Sequence, residues 1–218
     1  MEFKKIGIAG AGLMGASMSQ IFAKYGYEVV VYDAFESALE KGKNLVELNQ
    51  KTQTETGEVT AQESERILQS LCFTSELEVL ADCDIIVESI IEKLDIKQDF
   101  WARLSRMVRP ETILTTNTSG LPIDSIAADI VGKNRFLGMH WMNPAHLIPC
   151  IEIIRGSETD DASTEAVIEL AHKIGKKTAV CKKDVPGFIL NRIQLAIVRE
   201  CISIVEDGIA DIPTWMPA

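Results

Sequence analysis

The stretch GIAGAGLMG, residues 7–15, constrains this chain more than any other. Gly10, Gly12 and Gly15 stand in G-x-G-x-x-G spacing after a short apolar strand, FKKIGIA. They open the segment LMGASMSQIFAKYG, in which Met14, Met18, Ile21, Phe22 and Tyr25 share one helical face. YEVVVYD then reads as a β-branched strand ending in Asp33. Strand, helix and strand together span roughly thirty residues, the length a right-handed parallel crossover needs. In this setting the glycines allow a tight turn, close approach of the backbone to a pyrophosphate and close packing of helix on strand. The helix start at Leu13 and Met14 supplies free N–H groups to phosphate oxygens. Asp33 accepts hydrogen bonds from an adenosine ribose and repels a 2′-phosphate, so the expected cofactor is NAD rather than NADP.

The remaining segments keep the same alternation. Residues 35–70 read as two polar helices around TETGEVT, where Gly57 breaks the pattern and Thr60 can cap the second. LCFTS, CDIIVES, TILTTNTS, RFLGMHW, IPCIEIIRG and KTAVCK read as strands. KLDIKQDFWARLSRMV and DDASTEAVIELAHKIG read as helices, stopped by Pro110 and Gly175. The expected fold is α/β: a Rossmann-like, doubly wound and mostly parallel sheet with helices on both faces. After Pro186-Gly187 the pattern changes. FILNRIQLAIVRECISIVEDG is a long helix, apolar nearly all round through Ile189, Leu190, Ile193, Leu195, Ile197 and Val198. Such a helix wants partners on several sides. The expected division is a dinucleotide-binding domain over 1–185 and, over 186–218, the first helix of a truncated C-terminal helical domain that ends in IADIPTWMPA. Burial of that helix against a second copy makes a homodimer the expected assembly.

Composition removes several function classes. A net charge of −10 argues against a nucleic-acid backbone or an anionic membrane surface as partner. No apolar run approaches the roughly 18 residues of a membrane span, and the first strand begins with no signal-like region before it, so a cytoplasmic protein is expected. Five cysteines, odd in number and without CxxC spacing, read as reduced thiols with no metal site.

Ligands of a doubly wound sheet gather at the carboxyl ends of its strands. Asn117 and Ser119 close one strand, and His140 closes another. A histidine in an apolar strand is more often a core residue than a catalyst. Here the company is that of a dehydrogenase, which needs a base near a carbinol O–H while hydride leaves the carbon. Glu152, between Ile151 and Ile153, is oddly placed for a solvated charge and suits a carboxylate that holds the imidazole, although the spacing does not force contact.

GIAGAGLMGASMSQIFAKYGYEVVVYD, IVESIIEKLDIKQDFW, TNTSGLPIDSIA, RFLGMHWMNPAHLIPCIEIIRG and KDVPGFILNR together resemble the L-3-hydroxyacyl-CoA dehydrogenase family, in the family's order and up to about residue 208. The resemblance implies interconversion of a 3-hydroxyacyl-CoA and its 3-keto form, with an acyl-CoA as the small-molecule partner. By the same resemblance His140 is the general base, Glu152 orients it, Ser119 hydrogen-bonds the reacting oxygen and Asn191 lies near the substrate carbonyl. Glu92, Lys97 and Asn117 carry over to the cofactor side. Asn143 lines the site or caps the turn before Pro144; His146 is a substrate contact or a loop residue; His172 is solvated. Trp141-Met142, AHLIPC and Gly120 depart from the family pattern at positions that shape the acyl pocket, so a substrate outside the ordinary fatty acyl-CoAs is one alternative. The β-hydroxyacid dehydrogenases share the G-L-M-G turn but use a lysine base, and no lysine stands in a matching place. A silent NAD-binding module would keep the glycines and Asp33 without needing Ser119, His140 and Glu152 together.

Overall fold

The computed structural model describes residues 2–211. Residues 212–218, the greater part of the IADIPTWMPA ending, lie outside the described residues. The chain forms β1 (Lys5–Ala9), α1 (Leu13–Lys24), β2 (Glu28–Tyr32), α2 (Glu36–Glu55), α3 (Ala61–Gln69) and β3 (Leu71–Thr74). There follow β4 (Ile85–Glu88), α4 (Leu94–Leu104), β5 (Ile113–Thr116), a single turn α5 (Ile123–Ile126) and β6 (Phe136–Trp141). The rest is β7 (Cys150–Arg155), α6 (Asp161–Lys173), β8 (Lys177–Cys181) and α7 (Leu190–Glu206).

All eight strands join one sheet in the order β3-β2-β1-β4-β5-β6-β7-β8. The run from β3 to β6 is parallel, as the alternation of strands and helices predicts. β4 and β5 are buried on both faces: Ile85, Val87 and Ile113 pack into one core with α1 and α6, while Ile86 and Leu114 pack into the other with α4 and α5. That double burial explains why these strands read as unbroken apolar runs. Thr60 starts α3 with a capping box, its hydroxyl accepting from the Glu63 N–H while its own N–H donates to the Glu63 carboxylate.

β7 runs antiparallel to β6, and β8 runs parallel to β7. Strand direction was not legible in the sequence. The eight residues between Trp141 and Cys150 carry no helix, and a connection this short returns the chain beside the strand it left. The consequence is chemical: in this register His140 lies directly opposite Glu152.

Candidate active site

The strand order changes direction at β1, which has β2 on one side and β4 on the other. This switch point is where a doubly wound sheet opens a crevice at its carboxyl edge. The three glycines of the turn meet three different demands there. Gly10 has φ +108°, and a Cβ on it would lie 2.6 Å from the carbonyl oxygen of Ser89 at the end of β4. A Cβ on Gly15 would lie 1.8 Å from the Gly10 carbonyl oxygen. The fold itself therefore requires the first and third. A Cβ on Gly12 meets nothing within 4 Å, so the fold leaves that side of the turn open. No side chain caps the first turn of α1 and no acidic residue lies in it, which leaves its N–H groups and the positive end of the helix to an anion. Asp33 closes the other flank. Its Oδ2 accepts the Ala11 N–H at 2.9 Å and its Oδ1 the Phe35 N–H at 3.1 Å, and each oxygen retains a lone pair for a further donor.

On the far side of the turn stands a buried charge network. Glu88, the last residue of β4, is fully buried; it accepts from Lys97 Nζ, from Thr116 Oγ1 at 2.7 Å and from the Ile90 N–H at 2.8 Å. Lys97 is 1% exposed and bridges from Glu88 to Glu92, 3.2 Å away. Glu92 in turn accepts from Thr118 Oγ1 at 2.5 Å and from the Ser119 N–H at 2.9 Å. Burial pushes the Glu92 carboxyl up, but Thr118, Lys97 and the Ser119 N–H outweigh it and hold the group below the ordinary range. Asn117 ties neighbouring strand ends, its Oδ1 accepting the Trp141 N–H at 2.7 Å.

Across the sheet edge, the buried imidazole of His140 meets Glu152, Nδ1 to Oε2, at 2.8 Å. The other ring nitrogen has no hydrogen-bond partner among the described residues. Glu152 Oε1 accepts the N–H groups of Ile189 and Leu190 at 2.9 and 2.8 Å, where α7 begins. Burial raises the Glu152 carboxyl, but the His140 ring and those two backbone donors outweigh it, and it lies net below the usual carboxylate value. Asn191 donates through Nδ2 to the Ser119 carbonyl at 3.0 Å and keeps a second N–H and its Oδ1 for other partners. Ser119, His140, Glu152 and Asn191 thus form one linked group, although they come from four separate segments.

Residues 5–185 match the family model described as "3-hydroxyacyl-CoA dehydrogenase, NAD binding domain". The chain belongs to the 3-hydroxyacyl-CoA dehydrogenase family. It is 40% identical to the probable 3-hydroxybutyryl-CoA dehydrogenase of Deinococcus radiodurans, over 95% of this chain and 74% of that one. It is 32% identical to the 5-formyl-3-hydroxy-2-methylpyridine 4-carboxylate 5-dehydrogenase of Mesorhizobium japonicum, over 95% of this chain and 67% of the relative. Among solved structures, M. tuberculosis FadB2 superimposes with a TM-score of 0.94 at 31% identity, covering 98% of this chain and 75% of that chain. NAD is the cofactor. The fold is the Rossmann-like sheet and following helix that the sequence predicts.

Three other expected positions make no hydrogen bond with this group among the described residues. Asn143 is exposed and makes no side-chain hydrogen bond among the described residues, so it caps no turn there. His146 lines a cavity of about 280 Å³ between α1, α2 and the segment before β7, whose lining includes neither His140, Glu152, Ser119 nor Asn191. His172 is exposed, 3.2 Å from Thr178 Oγ1. Two residues escaped the sequence reading. Glu88 hid as the polar end of a strong strand; an acid after IIV, nine residues before a lysine, was its signal. Phe188 hid inside an apolar run, and its surroundings are visible only in three dimensions.

Proposed function

We propose that this chain interconverts a 3-hydroxyacyl-CoA thioester and its 3-ketoacyl form with NAD, using His140 as general base. The observation that carries the reading is the buried His140–Glu152 pair, with one imidazole nitrogen held and the other left unpartnered. In the oxidising direction His140 Nε2 takes the proton of the C3 hydroxyl. The Glu152 carboxylate steadies the imidazolium that forms and holds the proton on Nδ1. Bound NAD supplies the hydride acceptor. The Ser119 hydroxyl hydrogen-bonds the reacting oxygen, and Asn191, anchored on the Ser119 carbonyl, offers its remaining N–H to the thioester carbonyl. Gly10, Gly12, Leu13, Met14 and Gly15 hold the pyrophosphate and Asp33 the ribose. Glu92 and Asn117 flank the nicotinamide side. Lys97, enclosed between Glu88 and Glu92, serves that side by holding Glu92 in place.

Relatives named for 3-hydroxybutyryl-CoA support a four-carbon thioester as the first substrate to try. The relative named for a pyridine carboxylate supports a second reading, a substrate without CoA. NADH formation against a panel of 3-hydroxyacyl-CoA thioesters and free hydroxy acids separates the two. Turnover with thioesters alone is expected; turnover confined to free acids overturns CoA dependence, and none at all overturns the enzyme.

We also read residues 1–185 as the cofactor domain, with a separate C-terminal unit beginning at 186 with α7, and self-association through α7. None of the α7 residues is buried, which supports both readings. A cytoplasmic location is supported by five cysteines that all remain free thiols. No helix among the described residues is long and apolar enough to cross a membrane.

A further inference from the structure

The turn into α7 is strained at one residue. Among the described residues, Phe188 is the only non-glycine residue with positive φ, at +46°. For a bulky side chain this is a true outlier, and it persists only where surrounding structure demands it. A glycine would make the same turn freely, and Gly187 beside it already does so at φ +76°. What glycine lacks is the ring. The Phe188 side chain is 1% exposed and lies edge-on to the imidazole of His140, with centroids 5.7 Å apart and planes at 60°. The next two N–H groups, of Ile189 and Leu190, end on the Glu152 oxygen that His140 does not use. One strained residue therefore reaches the pair twice, by its ring and by the direction it gives the backbone.

We propose that Phe188 is a positioning residue for the catalytic imidazole: its ring fixes the plane of His140 and keeps water from the His140–Glu152 bond, while its left-handed backbone aims two N–H groups at Glu152. The proposal rests on His140 being the base. It differs from a simple core-filling role, in which any apolar side chain would serve.

Phe188→Leu and Phe188→Gly in the full chain test it. Leucine fills space without a ring; glycine removes both ring and strain. Three quantities are read: kcat and KM with 3-hydroxybutyryl-CoA and NAD, melting temperature, and the imidazole Nδ1–H proton resonance of the NAD complex without substrate. That resonance is sharp only while exchange with water is slow. For Phe188→Leu, kcat is expected to fall about 10- to 100-fold, as small misplacements of a reacting group do, with KM for NAD within about twofold. The Nδ1–H resonance should broaden, and the fold should survive. Phe188→Gly should lose at least as much turnover; should it fail to fold, Phe188→Leu decides alone. Wild-type kcat in Phe188→Leu overturns the proposal, as does a fall in kcat that leaves the Nδ1–H resonance unchanged. The resonance is independent of turnover. If the wild-type chain oxidises no substrate, broadening in the leucine variant still supports positioning, and only the assigned reaction falls.

Discussion

Gly12 and Gly15 are alike in sequence and opposite in what they serve. A Cβ at 15 strikes backbone, while a Cβ at 12 enters open space. Gly15→Ala should therefore destabilise the fold by about 1–3 kcal/mol or more, the usual cost of overpacking. Gly12→Ala should cost below about 1 kcal/mol, mostly as a poorer N-cap, yet weaken NADH binding severely. Melting temperatures and fluorescence titration of NADH check both, and parallel losses of stability would show that Gly12 too serves the fold. On the proposed reading the Asp33 carboxylate faces the adenosine ribose, where a 2′-phosphate would meet like charge. NADH should bind clearly better than NADPH, and Asp33→Ala should shrink the preference; equal affinities in the wild type would place the ribose elsewhere. If His140 is the base, as proposed, His140→Ala should cost about 10²–10⁴ in turnover, with NADH affinity nearly unchanged. A variant that kept its rate would end the assignment.

At the scale of elements, the antiparallel pair β6–β7 creates the dyad and α7 completes it. Glu152 is both the partner of His140 and the acceptor that fastens the start of α7. Its carboxyl lies below the ordinary value in the folded chain. A depressed folded pKa contributes stability that is fully present above the unfolded value, about 4.3 for a glutamate. That stability is lost as pH falls through the folded value. Acid should therefore loosen the start of α7 before the sheet unfolds. Corrected for intrinsic exchange, protection of the Ile189 and Leu190 amides should fall as pH drops below about 4. In Glu152→Gln the same amides should exchange with no such pH dependence. Identical profiles for the two proteins would mean that another group holds the helix.

For the whole molecule, the open question of energetics is α7. Ile193, Leu195, Ile197, Val198 and Ile202 are each at least half exposed, at 50–59%. At about 25 cal/mol per Å², a few hundred Å² of such surface represents several kcal/mol, comparable with the stability of a whole domain. Two copies that face their helices together recover part of that. The chain should scatter light as a dimer or larger at micromolar concentration, and Leu195→Glu with Val198→Glu should shift it toward monomer while NADH binding persists. A clean monomer in the wild type would show that solvent-exposed α7 is tolerated.

How much of this was legible along the chain follows from the range of each interaction. The cofactor turn is local: three glycines, an uncapped helix start and an acid at the end of the next strand lie within some thirty residues. Their spacing alone determines the strand–helix–strand crossover and the parallel core it belongs to. His140 and Glu152 were legible as chemistry but not as a pair. Twelve residues separate them, and only the direction and register of β7 decide whether their side chains meet. The burial of Lys97 between two acids and the strained Phe188 ring against the imidazole were beyond the sequence. Each depends on which segments the folded sheet brings to one edge, and side-chain packing leaves no periodic trace in the residues that make it.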